Sequence, residues 1–168
     1  DRRTIVKEII GNPPVRKAMV NVCRSLGFYG PKVPMVFSAP ALVVWNFTNR
    51  CNLKCKHCYQ DAGRGLADEL SLEEQCHVVD ELVENGTSMV AFAGGEPMMS
   101  KTFWEVVSYA KQRGMWISVA TNGTLLTKET ARRLKDVGVD YVEISLDSSI
   151  PEKHDAFRGI PGYWHRAV

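Results

Sequence analysis

From residue 41 onward the apolar positions repeat one unit: a short run, a polar loop, a stripe at helical spacing, then a glycine. The runs are Ala41–Phe47, Met89–Ala93, Met115–Ala120 and Tyr141–Leu146. They are rich in Val, Ile, Phe and Trp, and three are nearly continuous in apolar residues, the pattern of parallel strands buried in a sheet. Between the first two, Leu72, Cys76, Val79, Leu82 and Val83 share one helical face behind a Ser71/Glu74 capping box, and Gly86 ends the helix. On that face Cys76 is a small core residue. Phe103, Val106, Val107 and Ala110 stripe a second helix that stops at Gly114. Thr127 caps a third, with Ala131, Leu134 and Val137 inward and Gly138 closing it. The later runs start about 25 residues apart, the spacing of βα units with right-handed crossovers. Gly162–Val168 reads as the opening of a further helix. The pattern predicts an α/β fold, a barrel or open sheet of parallel strands that needs more strands to cover its last edge.

The first forty residues read differently. Thr4–Ile10 and Val15–Leu26 form two short helices separated by Gly11-Asn12-Pro13-Pro14, the second with Val15, Met19, Val22, Cys23 and Leu26 as an apolar stripe. Pro31, Pro34 and Pro40 punctuate an irregular connection. The expected division is a helical, basic extension over 1–40 and a core over 41–168. Composition adds little to this: the 168 residues are 45% hydrophobic and 24% charged, ordinary for one globular domain. Charge is uneven, because residues 1–40 hold seven Lys/Arg against two Asp/Glu (+5), leaving −3 for the remainder (14 against 17). The basic residues are scattered and no aromatics alternate with them, so a solvated helix face is expected and nucleic acid is not. No apolar run approaches the roughly 20 residues of a membrane span. An odd cysteine count with three clustered fits a reducing cytoplasm and a metal site rather than a disulfide framework.

The unusual residues fall at the carboxyl ends of the predicted strands, where ligands collect in parallel α/β proteins. After the first come Cys51, Cys55 and Cys58, a C-x3-C-x2-C pattern in one tight loop. After the second comes Gly94-Gly95-Glu96-Pro97, after the third Thr121-Asn122-Gly123, and the fourth ends Ser145-Leu146-Asp147. Three thiolates are one fewer than a closed four-thiolate site needs, so an iron–sulfur cubane held here keeps one iron open to a small molecule. The alternative is a structural zinc site with His57 or a distant fourth ligand. His57 adjoins Cys58, however, and no second hook exists, since Cys23 and Cys76 are isolated. Two glycines in the second loop permit close backbone approach to a ligand, and Glu96 offers a carboxylate to a cationic group.

Together these motifs, from about Pro40 to the end, resemble the radical S-adenosylmethionine enzymes. The resemblance implies a partial (β/α)6 TIM-like barrel, truncated after about four strands. In it Cys51, Cys55 and Cys58 hold an oxygen-sensitive [4Fe–4S] cluster whose open iron is chelated by S-adenosylmethionine. It further implies that Gly94, Gly95 and Glu96 receive the methionine amino end, that His57 and Tyr59 lie near the adenine, and that Asn122, Ser145 and Asp147 face the carboxylate or ribose. Arg158 matches a recurrent arginine that neutralises a cofactor carboxylate; a surface ion pair is the alternative. A low-potential donor of ferredoxin or flavodoxin type would reduce the cluster, releasing a 5′-deoxyadenosyl radical that abstracts a substrate hydrogen, with no side chain acting as acid or base. The stretch Leu42–Cys55 looks most like the branch containing haem-synthesis enzymes and peptide maturases, which carry C-terminal auxiliary-cluster extensions. A peptide or protein substrate is the leading expectation and tetrapyrrole side-chain modification the alternative. Two other classes compete: a non-catalytic zinc or iron–sulfur module would not need Gly94-Gly95-Glu96-Pro97, and a methyltransferase or phosphate-binding α/β enzyme would not need three thiolates.

Overall fold

The structure, a computed structural model, describes residues 11–31 and 39–168. The expected helix Thr4–Ile10 lies outside the described residues. In chain order the elements are α1 (Pro13–Tyr29), β1 (Leu42–Thr48), α2 (Leu72–Glu84), β2 (Met89–Gly94), a short 3-10 turn (Pro97–Met99), α3 (Phe103–Gln112), β3 (Trp116–Thr121), α4 (Lys128–Asp136), β4 (Tyr141–Ile144), α5 (Pro151–Arg158) and α6 (Trp164–Ala167). The four strands form one parallel sheet in sequence order, β1-β2-β3-β4. This is the α/β architecture that the repeating unit predicts.

Helix boundaries follow their local chemistry. Ser71 Oγ accepts from the Glu74 N–H while the Glu74 carboxylate accepts from the Ser71 N–H, so the box at α2 is complete. Thr127 and Thr130 make the equivalent reciprocal pair at α4. The core lies between one face of the sheet and the helices: Phe47, Val90, Phe92, Ile117 and Val119 pack against Val79, Phe103, Val106, Val107, Ala110 and Leu134.

Two expectations need correction. β2 and β3 are not buried alike on both faces; Ala91, Ala93, Ser118 and Ala120 remain half-buried on the face away from the helices. Ala131 is exposed, leaving Leu134 as the buried anchor of α4. In α1, Met19, Cys23 and Leu26 of the apolar stripe are exposed, Val15 and Val22 are half-buried, and the buried positions are Asn21 and Ser25. Asn21 donates its side-chain amide to the Gly86 carbonyl at 2.7 Å, so α1 docks on the end of α2 through a polar contact.

Sequence periodicity also misses α5. Its signals are punctuation: Pro151 at the first helical position and Gly159 after the last, at φ 80°. The residues between, Pro151 to Arg158, hold few apolar side chains to form a stripe.

Candidate metal and cofactor site

β1 leaves the sheet through an irregularity. Its pairing with β2 runs Asn46↔Ala93 and then Thr48↔Gly94, so Phe47 is an extra residue at the strand's carboxyl end. The bulge aims the following loop across the ends of the strands. Glu69 holds it there, accepting from the Thr48 hydroxyl at 2.9 Å and the Asn49 N–H at 2.8 Å. The return segment adds Cys51 N–H to the Gly63 carbonyl and Gly63 N–H to the Asn49 carbonyl.

Gly94 and Gly95 face this loop from β2. A Cβ on Gly95 would stand 2.2 Å from the Arg50 carbonyl oxygen, and one on Gly94, at φ 116°, 2.7 Å from the Thr48 oxygen. Backbone lies at both points, so no rotamer relieves the clash. Gly95 N–H donates to Thr48 O at 2.8 Å and Glu96 N–H to Arg50 O at 2.7 Å. The glycines therefore admit the cysteine loop itself, a demand that the sequence reading assigned to a ligand.

These elements enclose a cavity of about 220 Å³. Cys51, Cys55, Cys58, His57, Tyr59, Gly94, Gly95, Asn122, Ser145 and Arg158, all singled out from sequence, line it together with Ala93 and Ala120. Glu96 and Asp147 do not. Glu96 is fully buried behind the wall, accepting from the Thr121 hydroxyl at 2.9 Å, the Asn122 N–H at 2.8 Å and the Met98 N–H. Burial pushes its pKa up, against those three donors. Asp147 instead takes the Nε of Arg158 and lies 3.9 Å from His57 Nε2.

The remaining lining groups are held in place. Asn122 donates to Asn52 Oδ1 at 2.9 Å and accepts from the Thr124 N–H and hydroxyl. His57 stacks on Phe157 at 4.2 Å between ring centroids, 5° from parallel. Tyr59, mostly exposed, donates its hydroxyl to Asn46. α5 braces the loop from outside: Lys56 N–H donates to the Phe157 carbonyl, and a Cβ on Gly159 would lie 3.1 Å from the Lys54 oxygen.

Each cysteine sulfur has an N–H donor. Leu53 N–H stands 3.4 Å from Cys51 Sγ, with the Asn122 amide at 3.8 Å; Ala62 N–H is 3.4 Å from Cys58 Sγ. Cys55 Sγ receives Arg158 Nη1 at 3.7 Å. Burial raises the Cys51 pKa, and the carboxylate of Glu96 adds to it, while the Leu53 and Asn122 donors oppose. Burial works against the Arg158 charge, but Asp147 and then Cys55 more than offset it, so its pKa is raised.

The donor set fits a cluster: three thiolates of one loop line a single cavity. A cubane takes each thiolate on a different iron, and N–H donors to the thiolates are the usual surroundings of such a centre. Sequence reasoning missed Asn52, Glu69, His154, Phe157 and Tyr163, which support the lining groups without a recognisable motif of their own.

Comparison with known proteins agrees with this arrangement. Residues 45–167 match the family described as the Radical SAM superfamily. The chain is 46% identical over 128 residues to the Fe-coproporphyrin III synthase of Methanosarcina barkeri, covering 76% of this chain and 32% of that protein. It is 38% identical over 121 residues to the mycofactocin maturase MftC of Mycobacterium tuberculosis, covering 72% and 31%. The chain thus spans about a third of the length of these curated relatives. In fold it resembles Streptococcus suis SuiB bound to S-adenosylmethionine, with a TM-score of 0.65 at 19% identity over 90% of this chain and 33% of that one. With the cysteine loop, the glycine wall and the parallel strands in their expected order, the chain belongs to the radical SAM superfamily.

Proposed function

We propose that this protein carries out radical chemistry on a tetrapyrrole at the cavity above β1–β4. The observation that carries the chemistry is the convergence of Cys51, Cys55 and Cys58 with Gly94, Gly95, Asn122, Ser145 and Arg158 on one cavity. A [4Fe–4S] cluster and S-adenosylmethionine, the cofactors of the superfamily, supply one-electron cleavage to a 5′-deoxyadenosyl radical when bound there. Cys51, Cys55 and Cys58 would hold the cluster, and the Gly94-Gly95 backbone the amino end of the cofactor. His57, steadied by Phe157, and Tyr59 would take the adenine, and Asn122, Ser145 and Arg158 the carboxylate and ribose. Glu96 and Asp147 act from behind, fixing Asn122 and Arg158. The small walls at Ala93 and Ala120 leave room for the cofactor. A donor of ferredoxin or flavodoxin type supplies the electron.

Support for the substrate class is the 46% identity to a tetrapyrrole enzyme, above the 38% to a peptide maturase over a similar stretch. This reverses the order expected from the sequence, where a peptide led. The peptide reading keeps a specific support in the maturase likeness. The test is anaerobic reconstitution followed by a strong reductant and S-adenosylmethionine, then titration with Fe-coproporphyrin III. 5′-Deoxyadenosine formation and a saturable Soret shift are expected. Colourless zinc protein that forms no 5′-deoxyadenosine contradicts the radical chemistry, and cleavage without any Soret shift contradicts the tetrapyrrole.

A further inference from the structure

The donors to the three cysteine sulfurs differ in kind. Those on Cys51 and Cys58 are neutral amides, whereas Cys55 faces a guanidinium. Arg158 is 8% exposed, so its charge is little screened by solvent. Its planar fork is fixed at one edge: Nε donates to Asp147 Oδ2, which leaves Nη1 directed at Cys55 Sγ, 3.7 Å away. Asp147 is held in turn, because its backbone N–H donates to His154 Nδ1 at 3.2 Å and His154 is fully buried. A ring stack on Tyr163, 5.1 Å between centroids, closes the series from below. The contacts thus run from the His154 ring to the Asp147 backbone, and from the Asp147 carboxylate through the Arg158 guanidinium to the Cys55 sulfur.

We propose that Arg158 raises the reduction potential of the cluster by donating to the Cys55 sulfur, and that Asp147 and His154 are positioning residues that hold the guanidinium there. Adding an electron makes a thiolate-bound cluster more negative, and a charged donor on a thiolate stabilises the reduced form more than a neutral amide does. The location of α5 acquires a purpose beyond bracing. It carries both the donor and the histidine that fixes the donor's partner. This rests on Cys51, Cys55 and Cys58 being cluster ligands.

The sign of one substitution separates positioning from simple proximity. Asp147→Ala removes a negative charge near the cluster, which by Coulomb's law alone raises the potential. If Asp147 instead holds Arg158 against Cys55, its loss frees the guanidinium and the potential falls. The measurement is an electron-paramagnetic-resonance redox titration of the reconstituted holoprotein, following the signal that changes on adding S-adenosylmethionine. Arg158→Gln is expected to shift the one-electron reduction equilibrium tenfold or more towards the oxidised cluster, about 59 mV downward. Asp147→Ala should move the same way by less, and Asp147→Asn, which keeps an acceptor oxygen, should recover part of the loss. Iron content establishes that each variant holds its cluster; where Arg158→Gln does not, Arg158→Lys, with charge but no fork, should give an intermediate fall. An unchanged potential in the Arg158 variant that holds its cluster, or a rise in Asp147→Ala, overturns the inference. Failure of the unsubstituted protein to bind a cluster would instead contradict the proposed function.

Discussion

On the helix-covered face of the sheet, Val90, Phe92, Ile117 and Val119 are fully buried, whereas the same two strands turn Ala91, Ala93, Ser118 and Ala120 to the other side. Both sets alternate with the two-residue period of a strand. The large residues answer to packing, since each buried side chain of this size contributes about 1.5–3 kcal/mol. The small ones answer to space: Ala93 and Ala120 line the cavity that the cysteines and glycines complete. One face keeps the strands together and the other keeps a volume open. Substitutions on the two faces should therefore fail in opposite ways, the first in folding and the second in binding.

The sharpest separation comes from the loop above the open face. Cys51→Ala, Cys55→Ala and Cys58→Ala should each abolish iron uptake, because two thiolates do not retain the cubane. Circular dichroism should stay unchanged, since none of the three belongs to the apolar core. Phe92→Ala is the counterpart on the covered face. It removes the ring stacked with Trp45 and edge-on to Phe47 and Phe103, and should cost about 3–5 kcal/mol in urea unfolding. Iron uptake by its folded fraction should persist.

Ala120→Leu inverts that pair. A larger side chain on the cavity wall should change stability by less than about 1 kcal/mol. It should weaken S-adenosylmethionine binding at least tenfold, about 1.4 kcal/mol, by calorimetry. Equal affinity would show that the open face does not bound the site.

Two carboxylates extend the contrast to pH. Glu96, buried behind the wall, has a raised pKa, so the folded state holds its proton more tightly than the unfolded chain does. Its contribution to stability is full below the ordinary glutamate value and is lost as pH rises through the raised one. Burial also raises Glu69, but the Asn49 N–H, the Thr48 hydroxyl and the Leu66 N–H outweigh it and the net shift is downward. Its contribution is present above the ordinary value and is lost as pH falls through the lowered one. Urea midpoints measured against pH should flatten on the alkaline side in Glu96→Gln and on the acid side in Glu69→Gln. The smallest effect is expected at Cys76, half-buried on α2 and outside the cavity lining. Cys76→Ala should keep its iron and lose about 1 kcal/mol or less.

The covered face was legible in the sequence because burial imposes periodicity: Phe103, Val106, Val107 and Ala110 stand out before any coordinates, and all are buried. The cysteine loop stood out in the sequence because three thiols at close spacing serve few purposes. Glu96 and Asp147 read from sequence as ligand groups because they stand beside a site motif, and only three-dimensional neighbours reveal their bonds to Thr121 and Arg158. The stripe on α1 was legible as a face, but amphipathicity does not say whether a face is covered, and Met19, Cys23 and Leu26 are exposed. Glu69 and α5 escaped for a related reason. Their work is done through backbone N–H groups, carbonyls and single side-chain bonds, none of which leaves a periodic trace.

Cysteine ligation of a cluster with an open iron is tested most directly by metal analysis joined to electron-paramagnetic-resonance spectra of the reduced protein, with and without S-adenosylmethionine. About four irons per chain from this site are expected, lost in Cys55→Ala, with a spectrum that changes when S-adenosylmethionine is added. Stoichiometric zinc in place of iron, or a cluster spectrum indifferent to S-adenosylmethionine, would contradict it.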